Sequence, residues 1–124
     1  MNLIVLDTNF LIYCAKYKVD FETEIDRICD FKYKIVLPKQ VVNELNELSK
    51  NAIKSKDREA ASLALQIIKN FEIKKIDAKN ADEAILKLKA NVLATMDKEL
   101  RKRFKNDRKG KLLLIRQKKY LNLI

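Results

Sequence analysis

Four acidic residues stand where a carboxylate-based chemistry could be assembled. Asp7 closes an apolar run in Leu6-Asp7-Thr8-Asn9, and Glu44 sits in Val41-Val42-Asn43-Glu44-Leu45. Asp82 lies in Ala81-Asp82-Glu83-Ala84, and Asp97 in Ala94-Thr95-Met96-Asp97. Histidine is absent, which removes the usual acid–base group near neutral pH and the commonest metal ligand. Any hydrolysis must therefore lean on carboxylates. Taken singly, Asp7, Asp82 and Asp97 read as helix caps favoured by the helix dipole, and Glu44 as a solvated first-turn residue. Brought together, four like charges repel unless a cation sits among them. Mg²⁺ or Mn²⁺ suits such a set, because these hard cations take oxygen ligands and keep several waters. Divalent ions so held orient and activate water and neutralise charge developing on a phosphodiester. The chemistry to expect is metal-assisted phosphodiester hydrolysis.

Apolar periodicity names the elements that must bring these residues together. Apolar runs at 2–6, 34–37, 71–76, 91–94 and 111–115 predict five short strands. Between them, helical spacing recurs in Val41, Leu45 and Leu48, in Ala60, Leu63, Ala64, Ile67 and Ile68, and in Ala81, Ala84, Ile85 and Leu88. Strands apolar on both faces that alternate with helices predict an α/β fold with a parallel sheet covered on both sides. Pro38 marks a strand handing over to a helix, where its missing N–H does no harm. All four acidic residues then fall at strand-to-helix junctions. In a parallel sheet those junctions share one edge, the edge where such sheets bind ligands.

A length of 124 residues with 48% apolar and 35% charged side chains and a single glycine predicts one domain over 1–124 with an adequate core. No apolar run approaches the roughly 20 residues that span a bilayer, and no secretory leader is visible. The expectation is a cytoplasmic protein with no membrane partner. Glycine-rich phosphate loops and the G-x-S-x-G elbow are absent, which excludes P-loop NTPases and serine hydrolases. Cys14 and Cys29 are too few for a disulfide framework and are expected to be small buried residues. Tyr13, Tyr33 and Tyr120 are of a type that stacks on unpaired bases, but tyrosines at apolar spacings are more often core, and they are expected there rather than in the site.

Charge is concentrated late in the chain. Residues 1–97 hold 16 basic and 15 acidic side chains, whereas 98–124 hold 11 basic and 2 acidic. Such a one-sided segment is the footprint of a polyanion partner. Lys98, Arg101, Lys102 and Arg103 begin immediately after Asp97, which places a positive field beside the acidic centre, so RNA is the expected partner.

The run Leu6-Asp7-Thr8-Asn9-Phe10-Leu11-Ile12, the Val-Val-Asn-Glu-Leu of 41–45, the Ala-Asp-Glu-Ala-Ile of 81–85 and the Ala-Thr-Met-Asp-Lys-Glu-Leu-Arg-Lys-Arg of 94–103 together resemble the PIN-domain nucleases. The resemblance spans nearly the whole chain. It implies a three-layer α/β/α sandwich around a parallel sheet of about five strands, and a Mg²⁺- or Mn²⁺-dependent ribonuclease. Asp7, Glu44, Asp82 and Asp97 match the family's acidic quartet, and Asn9 and Thr95 match the polar residues that support it. The quartet is then expected to be catalytic and to hold metal, with Asp7 and Asp97 on one ion and Glu44 and Asp82 completing or bridging the site. The basic run and the segment around Gly110 look most like archaeal and eukaryotic PIN proteins of small-subunit ribosomal RNA processing, which implies ribosomal RNA or a pre-ribosomal particle as partner. Toxin ribonucleases, whose partner is an antitoxin, come second, and a non-cleaving RNA-binding scaffold is the rival from another class. Dimers are frequent in the family, so a homodimer is compatible with the resemblance.

Two departures from the family pattern carry structural expectations. Glu83 stands where a second Asp is usual, and Met96 where a polar residue is usual. Only 15 residues separate Asp82 from Asp97, so the helix at 81–89 must be short or turned tightly into its strand.

Overall fold

In the computed structural model, which describes residues 1–107 and 109–124, strands and helices alternate in the expected order. β1 (Asn2–Leu6) leads through α1 (Thr8–Tyr17) and α2 (Phe21–Ile28) to β2 (Tyr33–Pro38). α3 (Lys39–Asn51), α4 (Ser55–Ile67) and β3 (Glu72–Lys74) follow, then α5 (Ala81–Lys87), β4 (Val92–Ala94), α6 (Lys98–Asp107), β5 (Lys111–Arg116) and β6 (Tyr120–Leu123). Arg108, part of the basic segment, lies outside the described residues. The sheet runs β3-β2-β1-β4-β5-β6. Every neighbouring pair is parallel except β5–β6, which is antiparallel.

Successive residues of a strand face opposite sides of a sheet. Ile4, Val5 and Leu6 are all fully buried, as are Leu93 and Ala94, so helices cover both faces and the architecture is the three-layer α/β/α sandwich. Phe10 and Leu11 of α1, Leu45 of α3, Ile85 of α5 and Phe104 of α6 fill the core against these strands. The chain runs outward from β1 in both directions, to β2 on one side and β4 on the other. The β1–β4 seam is therefore the switch point beyond whose carboxyl ends a ligand site is expected.

Two strand expectations need correction. The sheet has six strands rather than five, because Gln117 and Lys118 turn the chain back through positive φ angles of 52° and 56°. Hairpin turns of that hand usually carry Asn or Gly, which neither position supplies. β3 is also shorter than the apolar run 71–76, as befits an edge strand with exposed Ile73 and Lys74. The opposite edge is covered by α2: the Leu121 N–H donates to the Glu24 carboxylate at 2.9 Å, and Arg27 donates to the Leu121 carbonyl at 3.3 Å.

The short interval between Asp82 and Asp97 is absorbed as expected. α5 has seven residues and is ended by Lys89 at φ 53°. Asn91 then joins β4 to its neighbour, accepting from Leu3 N–H through its side chain at 2.8 Å and donating to the Leu3 carbonyl at 2.9 Å. Gly110 is required by close approach: a Cβ there would lie 2.6 Å from the Phe104 ring and 2.8 Å from the Asn91 carbonyl oxygen.

Cys14 and Cys29 are buried and unpaired with each other, and burial pushes the Cys14 thiol up to about 12, so it is inert near neutral pH. Tyr13 and Tyr33 are half-buried, but Tyr120 is exposed, a correction that follows from its place on the edge strand. Among the described residues, no helix is long and apolar enough to cross a membrane.

Candidate active site

Asp7 leaves β1 and caps α1. Its Oδ1 accepts from Thr8 N–H at 2.8 Å, its Oδ2 accepts from the Thr95 hydroxyl at 2.8 Å, and its own N–H donates to the Ala94 carbonyl at 2.9 Å. Both carboxylate oxygens are thus held across the β1–β4 seam. Asp7 is only 4% exposed, and its pKa rises to about 6. Burial is the main cause, outweighing the hydrogen bonds from Thr95 and Thr8, and the charges of Asp82 and Glu44 push the same way.

Thr95 couples Asp7 to the start of α6. Its hydroxyl, which donates to Asp7, accepts from Asp97 N–H at 3.1 Å. Asp97 in turn caps α6, its Oδ1 accepting from Glu99 N–H at 2.9 Å and Leu100 N–H at 3.3 Å. Capping fixes one oxygen of Asp97 and leaves the other for the pocket.

Asp82 departs from its expected place as a cap. Asn80 caps α5 instead, accepting from Glu83 N–H at 2.9 Å, while the Glu83 carboxylate reaches back to Lys79 N–H at 3.3 Å. This arrangement resembles the capping box, with Glu83 reaching the residue before the cap, and leaves Asp82 free of capping so that it lines the cleft. Upstream, Gln40 of α3 donates to the Ile76 and Ala78 carbonyls at 2.7 and 3.2 Å, tying down the connection that carries α5.

Glu44, on α3 one position from the buried Leu45, accepts from the Thr8 hydroxyl at 2.5 Å. Thr8 is itself buried, with 4% exposure, so it holds the Glu44 carboxylate beside Asp7. Thr8 escaped sequence reasoning; its only signal was membership of a polar triplet directly after an apolar strand. Asn9 is exposed and lines the pocket, and among the described residues it makes no side-chain hydrogen bond to any of the four carboxylates.

Asp7, Glu44, Asp82 and Asp97 line one open pocket of about 440 Å³, together with Thr8, Asn9, Asn43, Glu47 and Leu48. None of the ion pairs formed among the described residues involves these four. Negative charge is therefore gathered without a protein cation to balance it. Equally, among the described residues no three His, Cys, Asp or Glu side chains are grouped closely enough to hold a metal ion, so the four carboxylates line the pocket without meeting at one point. An open set of hard oxygen donors, one of them destabilised chiefly by burial and further by its neighbours' charge, suits a divalent cation that keeps much of its water shell. It does not fit a softer ion that needs nitrogen or sulfur.

Of the expected RNA-binding residues, Lys98, Lys102 and Arg103 are exposed on α6. Arg101 is turned inward, its Nε donating to the Thr95 carbonyl at 3.2 Å. It braces the loop between β4 and α6.

An α/β/α sandwich with acidic residues gathered at its β1–β4 switch point defines the class. Residues 4–118 match the family described as PIN like domain, and the chain belongs to that family. It is 41% identical over 128 aligned positions to Ribonuclease VapC4 of Methanocaldococcus jannaschii, with 99% of this chain and 97% of that protein covered. Among solved structures, the PIN domain endonuclease Utp24 is similar with a TM-score of 0.75 at 22% identity, covering 98% of this chain and 90% of that one. A domain of a functionally unknown protein from Methanocaldococcus jannaschii is similar with a TM-score of 0.54 at 16% identity, covering 94% and 92%. At such identities the two structures bear on the fold alone.

Proposed function

We propose that the chain is a ribonuclease that depends on Mg²⁺ or Mn²⁺ and hydrolyses phosphodiester bonds at the pocket lined by Asp7, Glu44, Asp82 and Asp97. The observation that carries this reading is that four carboxylates from four different elements line one pocket, with no cation of the described residues paired to any of them. A bound divalent ion supplies activation of water and charge neutralisation at the phosphate. The chain supplies the rest. Thr95 fixes Asp7 relative to Asp97, and Thr8 fixes Glu44 relative to Asp7, so the donors are oriented before any ion arrives. Exposed Lys98, Lys102 and Arg103 next to Asp97 guide a polyanion toward the pocket.

Two cellular substrates have support. Ribosomal RNA processing draws on the basic α6, whose positive side chains start one residue after Asp97. A toxin restrained by an antitoxin draws on the full-length 41% identity to Ribonuclease VapC4. Incubation in Mn²⁺ with a structured small-subunit ribosomal RNA fragment and with an unstructured strand of equal length separates them. A processing enzyme cuts the structured fragment at one or a few positions. A toxin degrades the unstructured strand, and a small protein encoded beside it suppresses that activity.

A further inference from the structure

A second cleft of about 400 Å³ adjoins the acidic pocket and shares Asn9 and Asp97 with it. Its other walls include Tyr13, Tyr17, Met96 and Lys16. Tyr13 and Tyr17 are four residues apart on α1, so they share a face, and their ring centroids lie 4.5 Å apart at a 45° tilt. Tyr17 is 43% exposed, which no demand of core packing explains. Lys16 is committed to Asp57 at 2.7 Å. The Lys118 ammonium instead lies 5.0 Å from the Tyr17 ring centroid, brought there by the β5–β6 turn whose Gln117 and Lys118 both adopt positive φ. Backbone held in that region by non-glycine residues points to a use for the side chains at the tip. The cleft therefore joins an aromatic face and a flexible thioether to the acidic pocket, and the Lys118 ammonium stands over the ring of one of its lining residues.

We propose that Tyr13 and Tyr17 form a subsite for an unpaired nucleobase of the substrate strand, next to the nucleotide whose phosphate enters the acidic pocket, with Lys118 pairing the following phosphate. The proposal rests on the ribonuclease reading and extends it to how the strand is held. Every nucleobase has a flat face that stacks on an aromatic ring, and Met96 supplies an adaptable apolar wall for it. A base arriving on Tyr17 displaces the Lys118 ammonium, which moves to the adjacent phosphate. Paired bases are shut inside a duplex and cannot enter. The subsite thus selects an unpaired nucleotide beside the cleavage position.

Binding is measured in EDTA, where no cutting occurs, with a labelled single-stranded RNA decamer, the same strand made abasic, and the same sequence as a duplex. Tyr17→Leu and Tyr13→Leu are expected to weaken binding of the base-bearing strand by about tenfold, while Tyr17→Phe and Tyr13→Phe retain it. The abasic strand and the duplex should bind the parent and the Leu variants equally. Because the chain has no tryptophan and only four tyrosines, quenching of tyrosine emission by the base-bearing strand gives a second readout, lost in the Leu variants. Unchanged binding of the base-bearing strand by both Leu variants, or equal losses with the abasic strand, would overturn the subsite alone. Failure of the parent to bind any RNA in EDTA would likewise overturn the subsite, whereas failure to cleave any RNA in Mn²⁺ or Mg²⁺ would overturn the ribonuclease reading on which it rests.

Discussion

Asp7→Asn is expected to reduce RNA cleavage by more than about 100-fold, the upper range for losing merely a supporting group of a metal site. The same change should stabilise the metal-free protein at neutral pH. Asp7 is buried and its pKa is raised from 3.8 to about 6, which corresponds to roughly 3 kcal/mol against the folded state once the carboxyl is ionised. Asn keeps the acceptor for Thr8 N–H but presents an amide to the Thr95 hydroxyl, an exchange that costs about 1 kcal/mol. The net gain is about 2 kcal/mol. Below pH 3.8 the carboxyl is protonated in both folded and unfolded chains and imposes no penalty. Between about 4 and 6 the unfolded chain ionises first and the parent loses stability; above 6 both forms are ionised and the loss is complete. The advantage of Asp7→Asn in denaturant unfolding with EDTA should therefore be full at pH 7.5 and gone or slightly reversed at pH 4, where the exchange cost of about 1 kcal/mol outweighs the residual penalty. A variant less stable than the parent at pH 7.5 would contradict this account of Asp7.

Neutralising the exposed cations of α6 should act on binding rather than on the chemical step. Lys98→Gln, Lys102→Gln and Arg103→Gln together remove three charges beside Asp97. Each phosphate contact on a single strand contributes about 0.7 to the slope of log affinity against log salt, so the triple variant should lower that slope by about 2. Its affinity at low salt should fall, while cleavage at saturating RNA stays near the parent's. Arg101 is kept out of this set because it braces the Thr95 carbonyl, and its loss would disturb Asp97 directly. An unchanged slope would remove α6 from the path of the RNA.

The strands and most helices were legible because a sheet buried on both faces leaves unbroken apolar runs, and its helices leave a clean 3.6-residue period. That Asp7, Glu44, Asp82 and Asp97 line one pocket was legible from the strand-to-helix order, since such junctions share one edge of a parallel sheet. What escaped depends on features that leave little trace in the sequence. β6 was missed because its turn is made by Gln117 and Lys118 rather than by Gly or Asn, and because the final Tyr-Leu-Asn-Leu offers only a brief alternation. Asp82 was expected to begin its helix, but the cap chosen two residues earlier pairs Asn80 with Glu83, a competition between neighbouring polar residues that spacing alone does not rank. Thr8 acts through a hydrogen bond to Glu44, 36 positions on, and Arg101 folds back on the Thr95 carbonyl six positions before it; neither the distant partner nor the inward turn of a charged side chain is visible without the folded geometry. Tyr17 was overlooked because its role depends on a neighbour four residues before it and on a hairpin tip 101 positions after it.

Cleavage of a labelled single-stranded RNA by the parent and by Asp97→Asn, each in Mn²⁺, in Mg²⁺ and in EDTA, tests the central claim most directly. Cleavage by the parent in at least one of the two metals, absent in EDTA and lost in Asp97→Asn, is the predicted result. Cleavage that persists in EDTA, or that Asp97→Asn retains at the parent's rate, would contradict a divalent-metal centre built on these carboxylates.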